Sequence, residues 1–330
     1  MKNKTIILFI TLIITLLALF FADLIFGNIY ISFREIIKIF TGNSDNIINS
    51  EILLNYRLPK VITAILAGAS LSVAGLLMQT LFRNPLADPY ILGVSSGAAL
   101  GVAVVTMTVG FFLSTAASGW LTIISAIIGA ALVLLLVLGV SFKVQNAVSL
   151  LIVGIMFGTI AAAIVGVLQN FSNPDAIKLF VVWTLGSLNA VTWDYMKILL
   201  PVVALGLCLT IYLQKNLDAL LLGENYARTL GISIIRTRFL IILATGLLAG
   251  GITAFTGPIA FVGVAIPHLV RGIFRKSTHR ILLPASMLCG AILLIVCDII
   301  SQVPSYTIPI NTISSLFGAP VILWIILRKR

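Results

Sequence analysis

Ten carboxylates, two histidines and three cysteines are the groups in this 330-residue chain that could serve as acids, bases, nucleophiles or metal ligands. An enzyme would gather several of them at one place, yet most of the carboxylates fall in polar turns or at the ends of apolar runs. Asp23 and Asp298 come nearest to lying inside apolar sequence, and His268 and His279 read as interfacial residues at or just beyond the end of a run. Cys208, Cys289 and Cys297 lie within apolar runs, and no Cys or His pair has metal-ligand spacing, so neither a disulfide nor a metal site is expected. The chain contains no Gly-x4-Gly-Lys-Ser/Thr phosphate loop, so if ATP drives it, ATP and Mg must sit on another subunit. No catalytic residue and no cofactor is therefore assigned to the chain itself. What remains is conformational chemistry, at the Gly257-Pro258 interruption and at the Asn84-Pro85 turn, where a proline disfavours continued helix in the residue before it.

Such turns need elements to hold them, and the composition states which solvent those elements occupy. Hydrophobic residues make up 60% of the chain and charged residues 9%, more apolar sequence than a soluble core requires. A helix crosses the hydrocarbon layer in about 20 apolar residues. Apolar runs predict spans near residues 5–27, 60–82, 91–110, 118–141, 147–168, 197–214, 237–255, 258–273, 281–298 and 308–327. The stretch from Ile91 to Phe142 has no charge in 52 positions and fits two antiparallel spans joined near Ser114 to Gly119. Period-2 alternation is absent, which favours helices over a transmembrane barrel. The opening run, Ile6 to Ile25, is too long for a signal core and is read as a first span. With ten spans and both termini cytoplasmic, fifteen basic residues fall inside and six outside, the asymmetry of the positive-inside rule. The +11 net charge therefore tracks membrane sidedness, and no nucleic-acid partner is expected.

Three segments depart from plain spans. Only 32 residues separate Arg238 from Arg271, so two short helices hinged at Thr256, Gly257 and Pro258 are expected, a pattern that in transporters accompanies a substrate path. Ser32 and Glu35 form a Ser-x-x-Glu capping box ahead of Phe33, Ile36, Ile37 and Phe40, which predicts an outer amphipathic helix over about 32–40. Residues 216–231 form the longest polar excursion on the cytoplasmic side and read as two short helical turns punctuated by Gly223 and Gly231, suited to a partner contact. A weak internal echo links Ala74-Gly75 and Pro85-Leu86-Ala87 to Ala249-Gly250 and Pro258-Ile259-Ala260, as an inverted duplication would.

Ordered motifs carry more than composition does. Arg57-Leu58-Pro59-Lys60, the small-residue stretch Gly68 to Gly75, Gln79, Arg83-Asn84-Pro85-Leu86-Ala87-Asp88-Pro89, Gly257-Pro258-Ile259, Pro267-His268 and Gly318-Ala319-Pro320 closely resemble the FecCD permeases. These are membrane subunits of ABC importers for iron-siderophores, haem and cobalamin. The resemblance implies an all-α type II importer permease, one transmembrane domain over residues 1–330, in the cytoplasmic (inner) membrane of a bacterium. It implies a second permease copy, two cytoplasmic ATPases, and a substrate-binding protein docking from outside, all set in membrane lipid. It places an inner gate at Asn84, Pro85 and Leu86 facing Ala147 and Val148. It assigns ATPase coupling to Leu217, Leu220, Leu221, Gly223, Glu224, Ala227, Leu230 and Gly231, and a pathway hinge to Gly257 and Pro258. Arg57 and Lys60 match two docking positions, while Gln302 stands where many members carry a third, arginine. Thr307, Asn311 and Thr278 also depart from the usual pattern, which leaves the cargo open. An ion-driven secondary transporter and a membrane-embedded lipid-modifying enzyme remain the alternatives from other classes.

Overall fold

A computed structural model describes residues 2–27, 29–109, 119–144, 147–303 and 307–328. The turn expected near Ser114 falls outside them. Seven helices among the described residues are long and apolar enough to span a bilayer, and three shorter apolar ones complete the ten that the charge pattern requires.

The first span is α1 (Lys2–Ile25), followed by the short α2 (Phe33–Phe40) and α3 (Ile47–Glu51). A π turn, Ile52–Arg57, carries α3 without a break into α4 (Leu58–Phe82), so this helical rod starts well before residue 60. Ser32 caps α2 by accepting from the Glu35 N–H at 3.3 Å. The return half of the box is not made, because Glu35 Oε1 accepts from Ser44 Oγ at 2.5 Å instead. Ile36 and Ile39 face inward, whereas Phe33, Ile37 and Phe40 are exposed.

The next spans are α5 (Val94–Val104, prolonged by a π turn to Val109), α6 (Gly119–Ser141) and α7 (Ala147–Phe171). A helix not anticipated from the sequence, α8 (Pro174–Thr184), lies between α7 and α9 (Trp193–Tyr212). Asn173 caps it by accepting from the Ala176 N–H at 2.8 Å, and Pro174 fits its first turn, where the missing N–H is no loss. Two short helices, α10 (Gln214–Leu222) and α11 (Glu224–Thr229), make up the polar excursion. Then come α12 (Ile234–Thr245), a π turn at Gly246–Gly250, α13 (Gly251–Thr256), α14 (Val262–Phe274), α15 (His279–Gln302) and α16 (Ile310–Arg328).

At the centre stands α4, enclosed by α9, α12, α14 and α15. Nearly all its side chains from Pro59 to Leu81 are buried. Its small residues explain why. A Cβ added at Gly68 would strike the Gly290 carbonyl of α15, and one at Gly75 would strike the backbone of Gly263 in α14. In lipid, where neighbouring tails are as apolar as leucine, such close backbone approach is what drives helices together. By contrast Ile6, Ile7, Ile10, Ile13, Ile14 and Leu17 of α1 are exposed, as befits a helix facing lipid.

The expectation of two short helices between Arg238 and Arg271 needs correction. The first leg, α12 through α13, runs 23 residues from Ile234 to Thr256 and is a full span, while only the 13-residue α14 is short. Arg238 misled the estimate because it lies inside the helix, 4% exposed, and so does not mark the membrane boundary.

Candidate functional site

Two interruptions in the helices define the interior. The first begins at Arg83, whose φ of 47° ends α4, and continues to Gly93, φ 75°, where α5 begins. This segment does not stay at the surface. Pro89 packs where a Gly263 side chain would lie, beside the carbonyl of Leu71, which is about halfway along α4. The second interruption follows α13, where Gly257 (φ 74°) precedes Pro258 and Phe261 (φ 69°) starts α14. The first enters from the cytoplasmic end and the second from the outer end. The 13-residue α14 is short because it starts from an interruption within the membrane, and α5 starts from one as well. Non-helical backbone at that depth is tolerated where protein or a water-filled cavity receives it. Here the polar groups are met: Asp88 Oδ1 accepts from the Tyr90 N–H at 2.8 Å, and Asn311 Oδ1 accepts from the Ala260 N–H at 3.0 Å. Asn311, one of the departures from the family pattern, thus ties the start of α16 to the second interruption.

On the cytoplasmic side, α10 and α11 meet at Gly223, whose φ of 120° a side chain rarely adopts. Leu217, Leu220 and Ala227 point into the protein, while Leu221, Leu222, Tyr226 and Leu230 are exposed. Two polar links join this elbow to the spans. Asp218 Oδ1 meets His279 Nδ1 at 2.7 Å and also accepts from the His279 N–H at 2.8 Å, and His279 Nε2 lies 3.0 Å from Thr80 Oγ1 near the end of α4. Glu224 Oε1 pairs with Arg238 at 3.1 Å, and Arg238 donates to the Val144 carbonyl at 2.9 Å, three residues before α7 begins at Ala147. His279 is therefore no interfacial residue; it is wholly buried and clamps α10 to α4 and α15. Replacing Asp218 with alanine leaves His279 without its carboxylate and is expected to destabilise the protein by about 2 kcal/mol. A thermal midpoint lowered in detergent, with His279→Ala adding little on top, checks it.

The outer ends of α1, α4 and α15 meet in a buried ion cluster. Lys60 Nζ lies 2.7 Å from Asp298 Oδ2 and 3.8 Å from Asp23 Oδ1, with exposures of 3% for Lys60 and Asp298 and none for Asp23. Gln302 Nε2 donates to Asp23 at 3.2 Å and to Asp298 at 3.0 Å. Arg57 donates to the carbonyls of Leu24, Ile25 and Ile29. Arg57, Lys60 and Gln302 line an outer depression of about 190 Å³ with Tyr56 and Asn189. Lys60 and Gln302, which the resemblance links to docking, bind the protein's own carboxylates, and Arg57 binds its carbonyls, because two carboxylates carried into the bundle must be neutralised there.

The FecCD transport family model matches residues 14–328. The chain belongs to that family. It is 34% identical to the hemin transport system permease protein HmuU of Yersinia pestis over 329 residues, 98% of this chain and 95% of that one. The vitamin B12 import system permease protein BtuC of Vibrio cholerae is 35% identical over 286 residues, 86% of this chain and 84% of its own length. A solved transporter assigned to the metal-chelate ABC type, in an inward-facing conformation, superimposes with a TM-score of 0.85 at 28% identity, covering 97% of this chain and 98% of that one. The protein is a multi-pass membrane permease of an ABC importer, a class that works with ATPase and substrate-binding partners.

Within that family frame, Asn84, Pro85 and Leu86 lie at the cytoplasmic end of the first interruption, with Leu86 exposed and its N–H held by Asn84 Oδ1 at 3.0 Å. Ala147 opens α7 and Val148, next to it, is exposed. Sequence reasoning missed Asp88 and Tyr90 inside the interruption, Arg238 and Asp218 as tethers, and the exposed Leu222 and Tyr226. Only the Asn173-Pro174 start of α8 carried a local signal that could have been read.

Proposed function

We propose that the chain imports a metal chelate or tetrapyrrole, of the iron-siderophore, haem or cobalamin kind, across a bacterial inner membrane as one half of a homodimer. Two cytoplasmic ATPases, which bind ATP and Mg, press on residues 216–231, and a binding protein delivers cargo from outside. The observation that carries this reading is the elbow itself. It presents Leu222 at 67% and Leu230 at 57% exposure on an apolar tip, while its roots are tied to α4, α15, α12 and the residues before α7. An exposed apolar tip on a tethered base suits a partner surface that must transmit movement. Closure of the ATPases would turn the elbow, and the Asp218–His279–Thr80 and Glu224–Arg238–Val144 links would carry that motion to both sides of the gate formed by Asn84 to Leu86 and Ala147-Val148. Gly257 and Pro258 supply the hinge between α13 and α14. The unpaired apolar faces of α7, with Ile152, Ile160 and Val167, and of α16, with Leu316, Leu323 and Leu327, suit a second copy.

Leu222→Asp puts a charge into that apolar contact, and ATPase subunits retained on purification are expected to fall about tenfold. Retention equal to wild type would remove the elbow from the interface. The cargo class is tested by isolating the binding protein that docks on this permease and reading its bound chelate by absorbance and mass spectrometry. Cargo movement in liposomes on an ion gradient alone, without ATPases, would overturn the ATP-driven reading.

A further inference from the structure

The two interruptions are joined by a single side chain. Tyr90, at the membrane-embedded end of the first, accepts through its hydroxyl oxygen from the Ile259 N–H of the second at 3.2 Å. The same hydroxyl lies 3.1 Å from Thr253 Oγ1 in α13. Thr253 donates its own proton to the Ala249 carbonyl at 2.7 Å, so the Tyr90 O–H is the donor toward Thr253. One phenol thus satisfies the first backbone N–H beyond Pro258 and grips the helix on the other side of the hinge. The backbone beside Tyr90 is also pinned. A side chain at Gly154 of α7 would collide with Ile91 and Leu92, so these residues lie flat against α7. At the cytoplasmic end of the same segment, Leu86 is exposed and Asn84 accepts from the Leu86 and Ala87 N–H groups of its own turn. One end is held between helices, and at the other Pro85 and Leu86 are exposed.

We propose that Tyr90 is a positioning residue that anchors the inner-gate segment to the Gly257–Pro258 hinge throughout the transport cycle, so that gating flexes the chain at Asn84–Leu86 and leaves Tyr90–Ile259 intact. This rests on the gate assignment of Asn84 to Leu86. An anchor at this point couples the two interruptions, which enter from opposite sides of the membrane. Movement at the hinge then reaches the gate segment directly instead of being lost in loose backbone. Removing the hydroxyl frees the segment to move without the hinge, and ATP hydrolysis no longer has to drive both together.

Hydrogen exchange on the permease assembled with its ATPases in nanodiscs tests this, with ATP plus vanadate as the probe. In the wild type, nucleotide is expected to change exchange over residues 84–87 while leaving 257–262 protected. Tyr90→Phe keeps the ring and removes the hydroxyl, and exchange at Ile259 is expected to rise about tenfold, the effect of losing one buried hydrogen bond. Basal ATP hydrolysis without binding protein is expected to rise about fivefold in Tyr90→Phe and less in Thr253→Val, which keeps the Tyr90–Ile259 bond, with no rise beyond that of Tyr90→Phe in the double variant. The thermal midpoint should fall modestly, by the cost of one buried N–H left without its acceptor. Deprotection of 257–262 by nucleotide in the wild type would overturn the anchor while leaving the gate assignment standing. Nucleotide-insensitive exchange at 84–87 would sink the gate assignment and the anchor with it. Unchanged basal hydrolysis in assembled Tyr90→Phe would reduce Tyr90 to packing.

Discussion

Lys60→Met is expected to be among the most damaging single changes outside the packing core, lowering stability by about 3–5 kcal/mol. Its methylene stem is nearly isosteric with methionine, so packing is kept and only the charge is lost. Asp298, 2.7 Å from that charge, and Asp23 would then face each other inside the bundle with Gln302 as their shared donor. Breaking a buried pair costs far more than the pair contributes, because the remaining charge has lost both water and partner. Removing the second charge as well, in Lys60→Met with Asp298→Leu, should recover part of the loss, since Asp23 then keeps only Gln302 as its donor. Thermal midpoints of the wild type and the two variants in one detergent decide it. The same experiment separates a structural from a docking role. Affinity for the binding protein, measured on the folded fraction of Lys60→Met, should match the wild type; a large loss of affinity without loss of stability would return Lys60 to the docking surface.

Gly75→Leu is expected to abolish folding. The change would drive a side chain into the Gly263 backbone at the contact between α4 and α14, and backbone atoms cannot rotate out of the way as a side-chain tip can. Overpacking of this kind costs about 1–3 kcal/mol even where neighbours yield. Here the displaced element would be the start of α14, which carries the second interruption. Recovery of monodisperse protein after detergent extraction is the measurement. Gly139→Leu on α6 is the control, since nothing lies within 4 Å of a Cβ there. If both variants were recovered equally, the close approach would not be what holds α4 against α14.

Span number, the outer helix over Phe33–Phe40 and the two-helix elbow were legible because apolar length, capping and glycine placement act within a few residues of each other. The family could be read from the order of its motifs. The membrane-embedded course of residues 84–93 could not, because nothing in Pro89-Tyr90 states that it will sit beside Leu71; the close packing of Gly263 decides that, 174 positions further along the sequence from Pro89. The fate of Arg57 and Lys60 was equally hidden. A basic residue at a span end looks the same whether it meets headgroups, a partner, or an aspartate delivered by another helix. Arg238 shows the same limit from the opposite side, since a charge taken to mark a membrane boundary lies within its span, held by Glu224 and Val144.

The outer ion cluster also carries information about how the chain is made. Of the spans described, Asp23 arrives with the first, Lys60 with the second, and Asp298 and Gln302 with the ninth. During synthesis the first acid has to wait near the headgroups until its cation follows, and the cluster stays incomplete until most of the polypeptide has been inserted. Assembly therefore has a built-in checkpoint: a nascent chain stopped before His279 holds Asp23 and Lys60 but lacks the second acid. Such a truncated product should be a preferred target of membrane proteases, and stalled chains released before and after residue 302 would show whether resistance to digestion appears only once α15 is in place.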